Sequence, residues 1–178
     1  MCINAINVEL LKKCCMKINR RKCKTSNFII FLDFDGVIAT HKSYISSTRR
    51  SDKIDRECIK VLNTLVKKLN AVIVVSSTWS ILYTVKELQE ILDTAGFNGK
   101  IIDKTSRVKK PRWNISQRGA EIQQWIKKNG CDDYLVIDDE IFDIKDYIPM
   151  DKVIYVKNGF IKDGLTYSHI DNYMRNNR

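Results

Sequence analysis

The chain has 178 residues, 31 basic against 21 acidic side chains for a net charge of +10, and 44% hydrophobic residues. That length suits one ordinary α/β domain with a sizeable core, and two prolines and seven glycines exclude a Pro/Gly-rich chain. The charge favours an anionic partner, and no run approaches the roughly 18 apolar residues that a membrane span needs.

Residues 1–26 read as a basic N-terminal extension, helical or mobile: Lys12, Lys13, Lys17, Arg20, Arg21, Lys22 and Lys24 face only Glu9. Glu9 and Lys12-Lys13 break any apolar signal core, so no secretory leader is expected. Four of the six cysteines crowd this segment, with no CxxC pair and no neighbouring His. Zinc is a poor match, and free thiols in a reducing cytoplasm are the simplest reading.

Residues 27–178 read as a single catalytic domain. Phe28 to Asp33 is a continuous apolar run ended by Asp35-Gly36, the pattern of a buried strand and a turn. Residues 39–54 are polar and basic and predict a long loop. Arg56 to Asn70 repeats apolar residues at helical spacing, with Cys58, Leu62, Leu65, Val66 and Leu69 on one face. Ala71 to Val75 is a second buried strand, Ser80 to Ala95 a helix stopped by Gly96, and Lys100 to Ile102 a third strand. Ser116 to Asn129 is a helix ending at Gly130, followed by strands at Tyr134 to Ile137 and Val153 to Val156 and a last helix at Tyr167 to Met174. Strands alternating with helices predict a Rossmann-like, five-stranded parallel sheet with helices on both faces. Ligands of such sheets bind beyond the carboxyl ends of the strands.

Three strands deliver polar groups to that edge: Asp33-Phe34-Asp35 after the first, Ser76-Ser77-Thr78 after the second, Asp138-Asp139-Glu140 after the fourth. Each alone is ordinary, as a turn, a helix cap or a loop; together they point to a site. Carboxylates crowded at one edge repel unless a cation sits among them. An oxygen-rich set suits Mg²⁺, which keeps several waters and takes one or two carboxylates plus a phosphate. Serine hydroxyls and the N–H groups opening the next helix suit phosphate oxygens.

These residues resemble the haloacid dehalogenase (HAD) superfamily. Asp33-Phe34-Asp35-Gly36-Val37 looks like its first motif, Ser76 its second and Asp138-Asp139 its fourth, over about Phe28 to Val156. SSTW at 76–79 and RGAEIQQWI at 118–126 are similar to the HAD domain of composite RNA-repair proteins. The resemblance implies a HAD-like fold and a phosphatase. Asp33 would be the nucleophile forming an aspartyl-phosphate, with Asp35 the acid and then the base. Mg²⁺ would be held by Asp33, the Asp35 carbonyl and Asp138, supported by Asp139 with Asp143 as runner-up. Ser76 and Ser77 would bind phosphate. The family's third motif is a Lys or Arg; Arg118 is the choice, with Lys109 and Lys110 as alternatives. Uncatalysed phosphate monoester hydrolysis requires up to ~10²¹-fold acceleration, far beyond one acid–base group at ~10²–10⁴, so nucleophile, metal and positioning share the task.

The intervals between motifs leave no room for a substantial cap domain, so the site is expected to be open. Residues 104–118 read KTSRVKKPRWNISQR, six cations without an acid, and Lys109, Lys110, Arg112 and Trp113 are candidate substrate contacts. Basic grooves carrying aromatics suit single-stranded nucleic acid; the competing reading is Trp113 as a core plug beside a solvated loop. Trp79 and Trp125 read as core residues, and His41 and His169 receive no role. The leading expectation is a phosphatase of nucleic-acid ends. A nucleotidase or other small-molecule phosphatase is the nearest alternative, and a catalytically idle nucleic-acid-binding module is one of another class. A receiver domain has its acids on the wrong strands, and a metal-dependent nuclease would cut internal bonds instead. Related polynucleotide phosphatases often place Arg two residues after the second-motif serine, where this chain has Thr78.

Overall fold

The structure, a computed structural model, describes residues 28–49, 52–108 and 117–177. The basic extension and the candidates Lys109, Lys110, Arg112 and Trp113 lie outside the described residues.

The described chain builds a sheet from β1 (Phe28–Leu32), β2 (Ala71–Val75), β3 (Ile101–Lys104), β4 (Tyr134–Asp138) and β5 (Val153–Tyr155), in spatial order β3-β2-β1-β4-β5. Every neighbouring pair is parallel. β1 is central, with Phe28 opposite Ala71 and Ile29 opposite Tyr134. The chain moves outward from β1 through β2 to β3, then crosses back to place β4 on the other side of β1. The switch point therefore lies between the ends of β1 and β4, where parallel α/β sheets open a crevice.

Helices cover both faces: α1 (His41–Ser46), α2 (Arg56–Leu69), α3 (Trp79–Leu82), α4 (Val85–Thr94), α5 (Arg118–Asn129), α6 (Ile144–Tyr147) and α7 (Tyr167–Asn176). Side chains alternate across a strand, so β1 feeds two cores. Ile30 and Leu32 join Leu62 of α2, Leu88 of α4 and Ile170 of α7. Ile29 and Phe31 join Ile122 and Trp125 of α5 and Ile144 of α6. Phe31 and Trp125 meet edge-to-face at 5.3 Å. Burial of each large aliphatic or aromatic side chain contributes about 1.5–3 kcal/mol, which makes β1, with four of its five residues fully enclosed, the spine of the fold.

The alternation also aims the first acid. Asp33 continues the odd-numbered series that packs toward α5, and the first residue of α5 is Arg118. The N-terminus of α5 is pinned in turn: Asp143 Oδ2 accepts from the Gly119 N–H at 2.9 Å. A side chain at Gly119 would collide with the backbone of Asp143 and Ile144, so glycine permits this close approach.

Two expected elements need correction. The 39–54 segment is not all loop: His41–Ser46 is helical, with Thr40 and Ser43 exchanging a capping box. Thr40 Oγ1 also donates to Asp55 Oδ2 at 3.1 Å, and Ser43 Oγ to the Lys53 carbonyl at 2.6 Å. A six-residue helix is too short for an apolar period to reveal it. The single helix expected from Ser80 to Ala95 is two helices, α3 and α4, because Tyr83 is extended and Thr84 caps α4 through Glu87. Lys104 stabilises the break, its Nζ donating to the Ser80 and Tyr83 carbonyls at 2.6 and 2.8 Å. The boundary shifts are smaller: β1 stops at Leu32, β3 runs from Ile101 to Lys104, and β5 ends at Tyr155.

Candidate active site at the β1–β4 switch point

At the carboxyl edge of the sheet a cavity of about 210 Å³ is lined by Asp33, Asp35, Gly36, Thr78, Arg118, Asp139, Glu140 and Phe160. Asp33, Asp138 and Asp139 place carboxylate oxygens within 4.8 Å of one another. Asp33 and Asp138 are only 4% and 2% exposed. Arg118 Nη1 lies 2.8 Å from Asp33 Oδ1 and 3.8 Å from Asp138 Oδ2.

One guanidinium does not neutralise three acids. Burial, and then the neighbouring Asp33 charge, raise the Asp138 pKa well above the ordinary carboxylate value, although Arg118 opposes the shift. Burial, Asp33 and Glu140 raise Asp139 to about 6. Burial works against the charge on Arg118, yet Asp33 and Asp138 outweigh it; its pKa is raised and it stays protonated. The residual negative charge, carried on oxygen donors alone, fits a hard divalent cation such as Mg²⁺. Asp33, Asp138 and Asp139 are the residues that would hold it.

Gly36 makes this packing possible. Its φ of +78° is left-handed, and a Cβ there would strike the Asp139 carboxylate. The turn it opens folds the chain back, with the N–H groups of Val37, Ile38 and Ala39 all directed at the Phe34 carbonyl. Asp33 and Asp35, just before this turn, both line the cavity. Asp33 is tied to Arg118, and Asp35 accepts hydrogen bonds from Tyr44 Oη at 2.6 Å, Trp79 Nε1 at 3.0 Å and Thr78 Oγ1 at 3.3 Å.

Ser76 and Ser77 are buried behind this wall, at 1% and 5% exposure. Ser77 Oγ accepts from the Trp79 N–H at 3.4 Å, while Ser76 Oγ has no hydrogen-bond partner among the described residues. A buried hydroxyl left unmatched costs about 1–3 kcal/mol, so an unmet partner belongs here. Of that segment it is Thr78 that lines the cavity. Asp143, the runner-up for Asp139, is engaged in capping α5.

Sequence reasoning missed two contributors, Phe160 and the indole N–H of Trp79. Tyr44, from the polar and basic 39–54 segment, is brought to Asp35. Trp79 is fully buried, as expected of a core residue, and packs at a tilt against Phe34 at 5.3 Å, yet its indole N–H serves Asp35. Thr78, one of the hydroxyls expected at the end of β2, lines the cavity and donates to Asp35. Phe160 carried no local signal. His169, left without a role, accepts from the Thr166 N–H at 3.1 Å and so caps α7.

A parallel sheet whose switch point gathers acids from β1 and β4, a hydroxyl from β2 and an arginine from the helix before β4 defines a haloacid dehalogenase-type domain. Residues 29–166 match the family described as the HAD domain in Swiss Army Knife RNA repair proteins, and the chain belongs to that family. No curated protein and no solved structure matches it significantly. Among the described residues no cap domain is inserted, and no helix is long and apolar enough to cross a membrane.

Proposed function

We propose that this domain is a Mg²⁺-dependent phosphomonoesterase that removes terminal phosphates from nucleic acid through an aspartyl-phosphate on Asp33. The observation that carries the reading is the convergence of three carboxylates, Asp33, Asp138 and Asp139, on Arg118 at one small cavity, with the Ser76 hydroxyl, unpartnered among the described residues, behind it.

The placement supports the chemistry that the HAD resemblance implies. Asp33 attacks phosphorus, forming the Asp33–phosphate bond as the ester P–O bond breaks, and Asp35 donates a proton to the departing oxygen. Asp35, now ionised, takes a proton from water as that water attacks the phosphorus, releasing inorganic phosphate and restoring Asp33. Arg118 lines the cavity and holds the non-bridging oxygens; the Ser76 hydroxyl, buried behind that wall, is the candidate to join it, with Ser77 ordering the turn. Bound Mg²⁺ would supply charge neutralisation between the anionic phosphate and Asp33, Asp138 and Asp139.

Cavity size favours a polymer end. About 210 Å³ takes a phosphoryl group and little more, whereas pockets that enclose a whole small molecule span roughly 300–1,000 Å³. The rest of the substrate must lie outside, and a chain with a net charge of +10 favours a polyanion. The family's tie to RNA repair proteins makes RNA the first substrate to test. The experiment is phosphate release from 3′- and 5′-phosphorylated oligonucleotides against the matching mononucleotides, with Mg²⁺ or EDTA. Mg²⁺-dependent release with the highest kcat/KM on one oligonucleotide end, abolished in Asp33→Asn, is expected. Higher kcat/KM on mononucleotides would replace the polymer reading with a nucleotidase, and oligonucleotide binding without phosphate release would leave a binding module.

A further inference from the structure

The partners of Asp35 carry more information than its place in the site. A carboxylate offers about four lone-pair positions, two on each oxygen. Oδ1 already accepts from two donors, Tyr44 Oη at 2.6 Å and Trp79 Nε1 at 3.0 Å. Among the described residues Oδ2 accepts only the longer bond from Thr78 Oγ1, at 3.3 Å. The two oxygens are therefore unequal: the first is saturated, and the second retains a lone pair beside the cavity that Asp35 and Thr78 line together.

The donors are themselves held. Trp79 is fully buried against Phe34 and opens α3, whose break from α4 is stabilised by Lys104. Tyr44 projects from the capped helix α1; its ring packs edge-to-face on Phe160 at 5.3 Å, and Lys53 Nζ sits 4.2 Å from its centroid. Two segments separated in sequence, Tyr44 of α1 and Thr78-Trp79 after β2, thus fix one carboxylate.

We propose that Tyr44 and Trp79, assisted by Thr78, are positioning residues that lock the Asp35 rotamer and assign proton transfer to Oδ2. The role rests on the phosphatase reading above. Neither hydroxyl nor indole touches the phosphoryl group; both act through Asp35, by keeping Oδ1 occupied and Oδ2 directed at the ester oxygen. Their loss is felt where the leaving group needs a proton and little where it departs readily as an anion.

Leaving-group dependence tests this. Tyr44→Phe deletes the hydroxyl and keeps the ring; Thr78→Val alters an exposed position; Trp79→Phe deletes the indole N–H. kcat/KM, which reports the steps through formation of the Asp33–phosphate bond, is measured for a phosphorylated oligonucleotide end, whose leaving group is an alcohol, and for p-nitrophenyl phosphate, whose leaving group is a stabilised anion. Tyr44→Phe is expected to lower kcat/KM for the oligonucleotide about tenfold, a fraction of the ~10²–10⁴ that a placed acid contributes, with KM nearly unchanged and under a threefold effect on p-nitrophenyl phosphate. Tyr44→Leu, which also removes the ring from Phe160, separates packing from positioning. Wild-type behaviour in Tyr44→Phe together with an impaired Tyr44→Leu, or equal losses on both esters in Tyr44→Phe and Trp79→Phe, overturns the positioning role alone. A folded wild-type protein that hydrolyses neither ester overturns the phosphatase reading and the positioning role with it.

Discussion

Arg118 bridges the two sides of the switch point: its Nη1 lies 2.8 Å from Asp33 Oδ1 on the β1 side and 3.8 Å from Asp138 Oδ2 on the β4 side. The guanidinium thus stands where positive charge is most wanted, and it competes with any divalent cation for the same carboxylates. Removing it should have opposite effects on metal and on turnover. Arg118→Met is expected to bind Mg²⁺ more tightly, by several-fold in a calorimetric or thermal-shift titration, while kcat/KM for phosphate release falls by roughly 10²–10³, the usual loss for a charge-stabilising donor. Weaker Mg²⁺ binding in this variant would show that Arg118 orders the carboxylates more than it competes for them.

The raised carboxyls give the metal-free protein a pH signature. Asp139 titrates at about 6 instead of the ordinary 3.8 because burial and the Asp33 charge favour its protonated form, and Asp138 is shifted the same way. A raised folded-state pKa means that the folded chain holds more protons than the unfolded one. The resulting stability is complete below 3.8 and is lost as pH rises through about 6. Mg²⁺ binds the ionised oxygens, so its stabilising effect should grow over the same interval. Melting curves with EDTA and with Mg²⁺ should show a clear Mg²⁺ increment near pH 7.5 and little near pH 5. An equal increment at both would mean that the acids do not change protonation there.

How much of this was legible in the chain depends on the range of the interaction. The five strands and their parallel order follow from apolar runs alternating with amphipathic helices, and Asp33, Asp35, Ser76 and Asp138 stand out because each ends such a run. Local capping signals were available but outweighed: Thr84-Val-Lys-Glu87 is a capping box inside what periodicity read as one helix, and Thr40 with Ser43 opens α1 within a polar stretch. Phe160 was beyond reach, because its place on the cavity wall depends on the return of the chain after β5. The indole of Trp79 satisfies the rule for a core residue and that for an active-site donor together, and hydrophobicity reports only the first.

Gly36 joins backbone strain to the metal-binding face. Any side chain there must adopt a φ of +78° and displace the Asp139 carboxylate. Gly36→Ala should cost about 1–2 kcal/mol from the left-handed conformation alone, a drop of several degrees in Tm. It should also blunt the Mg²⁺-induced rise in Tm, because Asp139 is pushed aside. A variant that loses stability yet keeps the full Mg²⁺ response would place Asp139 outside the metal's reach.

Cys58 tests the compactness of the face opposite α5. Burial, reinforced by the Asp55 charge, pushes its thiol up to about 12, and its Sγ donates to the Asp163 carbonyl at 3.2 Å. The thiolate is the reactive form, so native Cys58 should resist alkylation near pH 8 and react only as fast as the domain opens. Peptide-resolved mass spectrometry after iodoacetamide treatment measures this directly. Rapid labelling of Cys58 under native conditions would mean that α2 separates readily from the loop before α7.

Phe160 offers the cavity an aromatic wall. It lines the site with Asp35 and Arg118, braced by Tyr44 at 5.3 Å and His41 at 6.0 Å, and its neighbour Ile161 is 83% exposed. A phosphorylated chain end entering the cavity brings its terminal nucleoside to this wall, and base–aromatic stacking contributes about 1–3 kcal/mol. Phe160→Ala should therefore raise KM for a phosphorylated oligonucleotide roughly 5- to 150-fold, the range that this energy spans. Glycerol phosphate, which has no ring to stack, should lose little. The comparison also controls for Tyr44: if removing the ring only loosened α1, both substrates would lose kcat in parallel, and the stacking wall would have to be sought elsewhere on the rim.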